Sequence, residues 1–476
     1  MNTTRRVAKN VLILTISDLI NKVLSLLLVV YIARYLGDVD FGKYSFAFAF
    51  SNFFLIFADI GLSTLIIRDI ARNKMQAGKY LGNILIIKSV LGVIVLGSIL
   101  STITVMGYPF DTAIVVYIVG FSLILGSMAG SFQSIFIAYE EMEYPAIITI
   151  VGRLIFIGAG LATLFLGYGL ITLVLIFLIS NIFSLFLSAF FTYKKFTKPI
   201  FDIDYNFCKY LIKTGSPFLL TGIFASIYFY INTILLSMMK GDAVVGWYNA
   251  AYNLLGALIP FLSYFMAAMF PVFSRLAKTS GNDLTMAFKE SMRYLFIFTL
   301  PIVVGTTLIA ENIIYFLYGA QFSESISTLQ ILIWALLFMS MSLVLMTFLN
   351  STDRQMFVTK TTACGAVINV ALNILLIPKY SLIGASIATV ITEASLFVLY
   401  YYFVSKYQHI SSIHKIVNKP VIAVLVMSIF VLYLREANIF MIIGIAAFIY
   451  IGVLLMIKGF TEDDLKILKK IIKRGT

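Results

Sequence analysis

The sequence predicts an all-α polytopic membrane protein of about 14 transmembrane helices, with two pseudo-symmetric six-helix lobes and a C-terminal helix pair. Three observations predict it. The 476 residues are 61 % hydrophobic and only 12 % charged, about half the charge of a soluble chain of this size. The apolar residues gather in runs of roughly 20, long enough to cross a ~30 Å hydrocarbon core as helices, and strand-type alternation is absent. Finally, the pattern G-D-x3-G-x-Y occurs twice, from Gly37-Asp38 to Gly42 and Tyr44, and 204 residues later from Gly241-Asp242 to Gly246 and Tyr248. Turns repeated at one offset are what a duplicated half leaves behind. Glycine gives a tight interfacial turn its backbone freedom, aspartate caps it, and tyrosine favours the membrane–water boundary. Two similar bundles with a path between them is the plan of a transporter.

In chain order, apolar runs between polar breaks place helices at about 11–33, 43–66, 80–106, 112–138, 145–166, 169–193, 210–239, 244–271, 289–310, 326–349, 356–377, 382–404, 418–434 and 438–458. The first follows Arg5, Arg6 and Lys9. It is too long for a signal peptide, contains Asp18 and Lys22, and lacks a small-residue cleavage pattern, so it reads as a retained helix. No soluble domain interrupts the series. The polar stretch 194–213 separates an N-lobe, 1–198, from a C-lobe, 199–405; residues 406–458 hold the last helix pair. In the tail, 459–476, Leu465, Leu468, Ile471 and Ile472 share one helical face among Lys466, Lys469, Lys470 and Lys473. That pattern suits a helix lying on anionic lipid.

An even number of spans puts both termini on one side. With that side cytoplasmic, 27 of the 35 Lys and Arg fall in inner segments and five in outer turns. This is the positive-inside asymmetry expected in the cytoplasmic membrane. The net charge of +13 then reflects topology and anionic lipid, and no nucleic-acid partner is implied. Cys208 and Cys364 are far apart and His409 and His414 share one polar loop, so no disulfide, metal site or cofactor is expected. P-loop, G-x-S-x-G and H-E-x-x-H motifs are missing, and no enzyme activity is expected.

Ionisable groups inside hydrocarbon cost about 2.5–3.5 kcal/mol each, so each should face a cavity or a partner. There are six: Asp18, Lys22, Asp59, Lys88, Arg153 and Glu393. Asp18 and Lys22, four apart, can pair, either as a lock or beside a cavity. They belong to a stripe with Ser17, Asn21 and Ser25. Ser45, Asn52 and Asp59 form a second stripe, and Thr149 with Arg153 a third. Three stripes on neighbouring helices suggest a wet cavity in the first bundle. Lys88 and Arg153 have no acidic neighbour in sequence, which favours positions where an anionic ligand neutralises them. The second half differs. Ser226, Tyr230 and Thr233, then Asn249, Tyr252 and Asn253, carry hydroxyls, amides and aromatic faces that suit sugar rings, although such residues also pack ordinary helices. Tyr230, Asn249, Tyr252 and Asn253 are the candidates for sugar contact.

Four segments, ARYLGDVDFGKYSFAFAFSNFF (33–54), FPVFSRLA (270–277), LYGAQFSES (317–325) and NVALNILLIPKYSLIGASIAT (369–389), resemble prokaryotic polysaccharide and lipid-linked oligosaccharide flippases. These belong to the multidrug/oligosaccharidyl-lipid/polysaccharide exporter superfamily. The resemblance implies two six-helix lobes around a central cavity, alternating access, and a glycan on polyprenyl phosphate or pyrophosphate as substrate. It also implies basic cavity residues for the lipid phosphates, a role that falls to Lys22, Lys88, Arg153, Arg34 and Arg68. Asp18, Asp59 and Glu393 are candidates to couple H+ or Na+. Expected partners are the glycan lipid, membrane lipids and polysaccharide-assembly membrane proteins. Two alternatives stay open. A cation-coupled multidrug antiporter of the same superfamily predicts a mainly acidic cavity. A membrane glycan polymerase needs acidic catalytic residues in a sizeable outer loop, and the outer turns are short.

Overall fold

Helices carry nearly all of the chain in the computed structural model, which describes residues 3–279, 281–407 and 413–459. Helix α1 (Thr3–Asp59) runs 57 residues, or about 85 Å, nearly three times the hydrocarbon thickness. It is two spans in one, because Gly37 stands inside it at φ 79°, ψ 178°, a backbone region that side chains rarely tolerate. There follow α2 (Leu62–Arg72), α3 (Ala77–Val105), α4 (Phe110–Ala138), α5 (Glu143–Phe165), α6 (Leu170–Lys195), α7 (Tyr205–Lys240) and α8 (Asp242–Thr279). Next come α9 (Gly281–Leu308), α10 (Ala310–Leu317), α11 (Ser325–Leu332) and α12 (Trp334–Ser351). Helix α13 (Gln355–Ser405) is divided at Ser381, three residues beyond Pro378, and α14 (Ile413–Tyr433) and α15 (Ile439–Met456) complete the series.

Among the described residues, 11 helices are long and apolar enough to cross a membrane, and Val417–Tyr433 is a shorter apolar one. With α1 and α13 each divided, this agrees with the 14 expected spans. One expected boundary needs correction. The second helix does not continue to 66: Ile60 and Gly61 take φ 47° and 74°, ending α1 and starting α2. Hydropathy reads through that break because isoleucine is apolar. The expected helix at 326–349 corresponds to the single span Ser325–Ser351, in which α11 and α12 meet at Ile333, itself helical at φ −62°, ψ −24°, after the short α10. The amphipathic tail beyond residue 459 lies outside the described residues.

By proximity the chain forms two units, Met1–Asn253 with Asn369–Ala385, and Leu254–Ile368 with Ser386–Thr476. In the first, α4 packs on α6 and α1, α5 packs on the same two helices, and α7 lies along α1. In the second, α9 touches α11, α12, α14 and α15. Buried amides explain why the middle of α13 joins the first unit. The Asn373 side chain donates to Asn232 Oδ1 (2.7 Å), and Asn232 donates to the Tyr248 hydroxyl (2.9 Å). Such bonds between helices in apolar surroundings are worth about 0.6 kcal/mol each.

The repeated turns meet each other. A side chain on Gly42 would overlap the backbone carbonyl of Asp242, and one on Gly246 would overlap that of Asp38. Gly37 and Gly241 share one geometry, φ 79°, ψ 178° and φ 87°, ψ 179°. The two copies therefore cross backbone to backbone, each using its second glycine to admit the other.

Candidate substrate-binding chamber

Among the cavities within the first unit, two share lining residues. One, of 410 Å3, is lined by Asn52, Asp59, Ser63, Ser127, Ser226 and Tyr230 among others. The other, of 290 Å3, is lined by residues including Tyr44, Ser45, Thr233, Asn249, Tyr252 and Asn253. Asn52 and Tyr230 line both, so the two adjoin, and together they make the candidate chamber, walled by α1, α4, α7 and α8 with Ser63 of α2. Helical spacing builds it. Ser45, Asn52 and Asp59 are seven apart, two turns each, and so share a face. On α7 and α8 the lining residues recur at three- and four-residue intervals, which has the same effect.

The polar groups are held in place. Thr233 donates its hydroxyl to Asn249 Oδ1 (3.2 Å), and the Asn249 amide donates to the Val245 carbonyl (2.9 Å). The Asn52 amide donates to the Phe48 carbonyl (2.8 Å). Tyr252 stacks on Tyr248 with centroids 5.8 Å apart and an interplanar angle of 17°. The four residues expected to contact sugar therefore converge on one cavity wall, Tyr230 from α7 and the other three from α8.

The charged end of the chamber is an ion pair. Lys88, only 1 % exposed, places Nζ 2.5 Å from Asp59 Oδ1. It also donates to the Ser63 hydroxyl (3.0 Å) and to the Ser127 carbonyl (3.0 Å) and hydroxyl (3.1 Å). Ser63 in turn donates to Asp59 Oδ1 (2.7 Å). An ammonium has three hydrogens, and these acceptors occupy them. Lys88 is thus a paired, interior group and does not face open space as the sequence suggests. Its partner lies 29 residues away on another helix, out of reach of any local pattern.

The other expected site residues are dispersed. Arg153 is half-buried midway along α5, near the Tyr44 hydroxyl, with no carboxylate or hydrogen-bond acceptor among the described residues. Lys22 is exposed and has no partner among the described residues, so the expected Asp18–Lys22 pair is not formed. Asp18 and Arg34 are exposed on α1. Arg68 pairs with Asp69 (Nε to Oδ1, 2.7 Å). Glu393 belongs to the second unit and is 2 % exposed, its Oε1 without a hydrogen-bond partner among the described residues. Of the three polar stripes, the one from Ser45 to Asp59 lines the chamber. Ser17 and Asn21 instead bond each other, the Asn21 amide donating to the Ser17 carbonyl (2.8 Å). Sequence reasoning misses Tyr44, Ser63 and Ser127. Tyr44 closes the first glycine motif and could have been tested for that reason; the two serines leave no signal.

The family profile "Polysaccharide biosynthesis protein" matches residues 7–277, more than half of the chain. The chain belongs to that family. The profile "Lipid II flippase MurJ" matches residues 196–452, and together the two identify a flippase of the multidrug/oligosaccharidyl-lipid/polysaccharide exporter superfamily, as the quoted segments suggest. Among relatives, the probable low-salt glycan biosynthesis flippase Agl15 of Haloferax volcanii is 21 % identical over 84 % of this chain and 84 % of its own length. The uncharacterized membrane protein MJ1068 of Methanocaldococcus jannaschii is 27 % identical over 52 % of this chain, and the match spans only 50 % of that relative. A solved structure of the lipid II flippase MurJ in an inward closed conformation has a TM-score of 0.78, 19 % identity, and coverage of 94 % of this chain and 99 % of that one. At that identity the likeness speaks for the fold.

Proposed function

We propose that the protein carries a lipid-linked glycan from the inner to the outer leaflet of the cytoplasmic membrane by alternating access, supplying polysaccharide or glycan assembly. The observation that carries this reading is the chamber, lined by amides, phenols and hydroxyls inside an otherwise apolar unit. A sugar hydroxyl stripped of water without a replacement partner costs several kcal/mol. The chamber offers such partners while the polyprenyl tail stays in lipid. Arg153, half-buried without an acceptor among the described residues, is the candidate for the carrier phosphate, with Lys22 and Arg34 exposed on α1 as further cationic contacts. Lobes 1–198 and 199–405 would exchange access, both termini staying cytoplasmic. Asp18, Asp59 and Glu393 are candidates to couple H+ or Na+; one charge crossing 100 mV supplies about 2.3 kcal/mol. No catalytic step is involved.

The deciding experiment is mass spectrometry of lipid-linked intermediates in cells lacking the protein. Accumulated precursor with reduced surface glycan is expected. One observation favours a second reading: Asp59 lines the chamber, and among the described lining residues there is no Lys or Arg. A cation-coupled antiporter would suit that. Unchanged glycan and precursor together with lost drug tolerance would decide for it and against the flippase.

A further inference from the structure

We infer that the chamber receives uncharged, hydroxyl-rich sugars and excludes sugars bearing carboxylate, sulfate or phosphate. The inference rests on the flippase reading and narrows it to a substrate class. Neither cavity is lined by Lys or Arg among the described residues. The nearest ammonium, Lys88, is 1 % exposed and donates to Asp59, Ser63 and Ser127. Among the described lining residues Asp59 alone carries a charge, and its side chain is 27 % exposed. With Lys88 and Ser63 both on Oδ1, the Asp59 carboxylate has acceptor capacity left for a sugar hydroxyl.

The rest of the lining fits the same ligand. Asn52, Asn249 and Asn253 each carry a donor group and an acceptor oxygen, matching hydroxyls that both give and take hydrogen bonds. Tyr44, Tyr230 and Tyr252 add flat apolar rings for the C–H faces of a pyranose, with a polar tip on each. A uronate or phosphate placed beside Asp59 would face its carboxylate in a low-dielectric site where the neighbouring ammonium, Lys88, is already engaged. Like-charge juxtaposition of that kind is strongly unfavourable. The carrier phosphate therefore stays outside the chamber, and Arg153 is not among the lining residues.

The test uses the full-length protein in lipid nanodiscs, with Cys208 and Cys364 replaced by Ser and a reporter introduced by Ser45→Cys in the chamber wall. The thiol labelling rate is measured with cellobiose, digalacturonate or inorganic pyrophosphate at equal concentration and ionic strength. Cellobiose is expected to slow labelling several-fold, and the two anions to leave it unchanged. Equal slowing by digalacturonate or pyrophosphate overturns the inference, as does no slowing by cellobiose. Sugar analysis of the lipid-linked precursor in cells lacking the protein separates the two levels. An accumulated precursor composed of uncharged sugars supports the inference; one with acidic sugars overturns it and leaves the flippase reading standing. No accumulated precursor removes that reading, and the inference with it.

Discussion

Replacing Lys88 with Met tests whether the ion pair beside the chamber holds the first unit together. The substitution keeps the length of the side chain and removes its charge. It strands the Asp59 carboxylate, whose 2.5 Å contact with Nζ is lost. It also leaves the Ser127 carbonyl without the donor it now has at 3.0 Å. Removing one member of a buried pair costs about 3–5 kcal/mol. Asp59 keeps 27 % exposure toward the cavity, so some screening remains and the lower end, about 3 kcal/mol, applies. That is roughly a hundredfold shift in the unfolded-to-folded ratio. Removing both charges, Lys88→Met with Asp59→Leu, should recover most of it, because a buried pair replaced by packed apolar groups is often neutral or stabilising. Reversible unfolding of the purified protein by SDS in mixed micelles measures both variants. A single variant as stable as the parent, or a double variant no better than the single, would refute the reasoning.

Three further outcomes are expected. Gly42→Ala and Gly246→Ala each drive a methyl into the facing backbone carbonyl, and each should cost about 1–3 kcal/mol by the same unfolding assay, whereas Gly256→Ala, with open space around it, should cost less. The Asp204 carboxyl is held below the usual carboxylate range, first by Lys79 (2.9 Å) and then by the Phe207 N–H (3.0 Å). Its contribution is therefore complete above the unfolded pKa of about 3.9 and is lost as pH falls through the lower folded value. Hydrogen exchange of the Ile200 amide, which donates to the Gly78 carbonyl (2.9 Å), corrected for intrinsic rate, should quicken over that acid window and be quick at neutral pH in Asp204→Asn. Arg153→Ala should reduce glycan export by about tenfold or more at unchanged protein level, with partial recovery in Arg153→Lys; normal export in the alanine variant removes Arg153 from the phosphate role.

The parts of this molecule legible from sequence are those written in local spacing. Ser45, Asn52 and Asp59 occur at multiples of seven, so their common face follows from helix geometry alone, and they line one chamber. The sugar-type residues of α7 and α8 follow the same rule. What sequence does not disclose is pairing between distant helices. Lys88 looks unaccompanied because Asp59 is 29 residues earlier, and only packing brings them to 2.5 Å. The link from Asn373 to Asn232 (2.7 Å) spans 141 residues and ties the middle of α13 to α7, which no linker composition announces. The break at Ile60–Gly61 is hidden for a different reason: hydropathy measures burial, and an isoleucine at φ 47° is as apolar as one in a helix.

The two glycine motifs agree in backbone geometry and differ in side-chain surroundings. Their backbones still mirror each other, since Gly42 faces the Asp242 carbonyl and Gly246 the Asp38 carbonyl, and any side chain at either position would part the crossing. Their tyrosines have diverged. Tyr44 lines the chamber, while Tyr248, 1 % exposed, accepts the Asn232 amide and belongs to the buried chain that anchors α13. Backbone contact constrains both copies equally because it depends on the absence of an atom. Side-chain chemistry answers to what each copy faces, a cavity in one case and a neighbouring helix in the other. The chamber is walled by α1 on one side and by α7 and α8 on the other, the very segments that the glycine crossing joins.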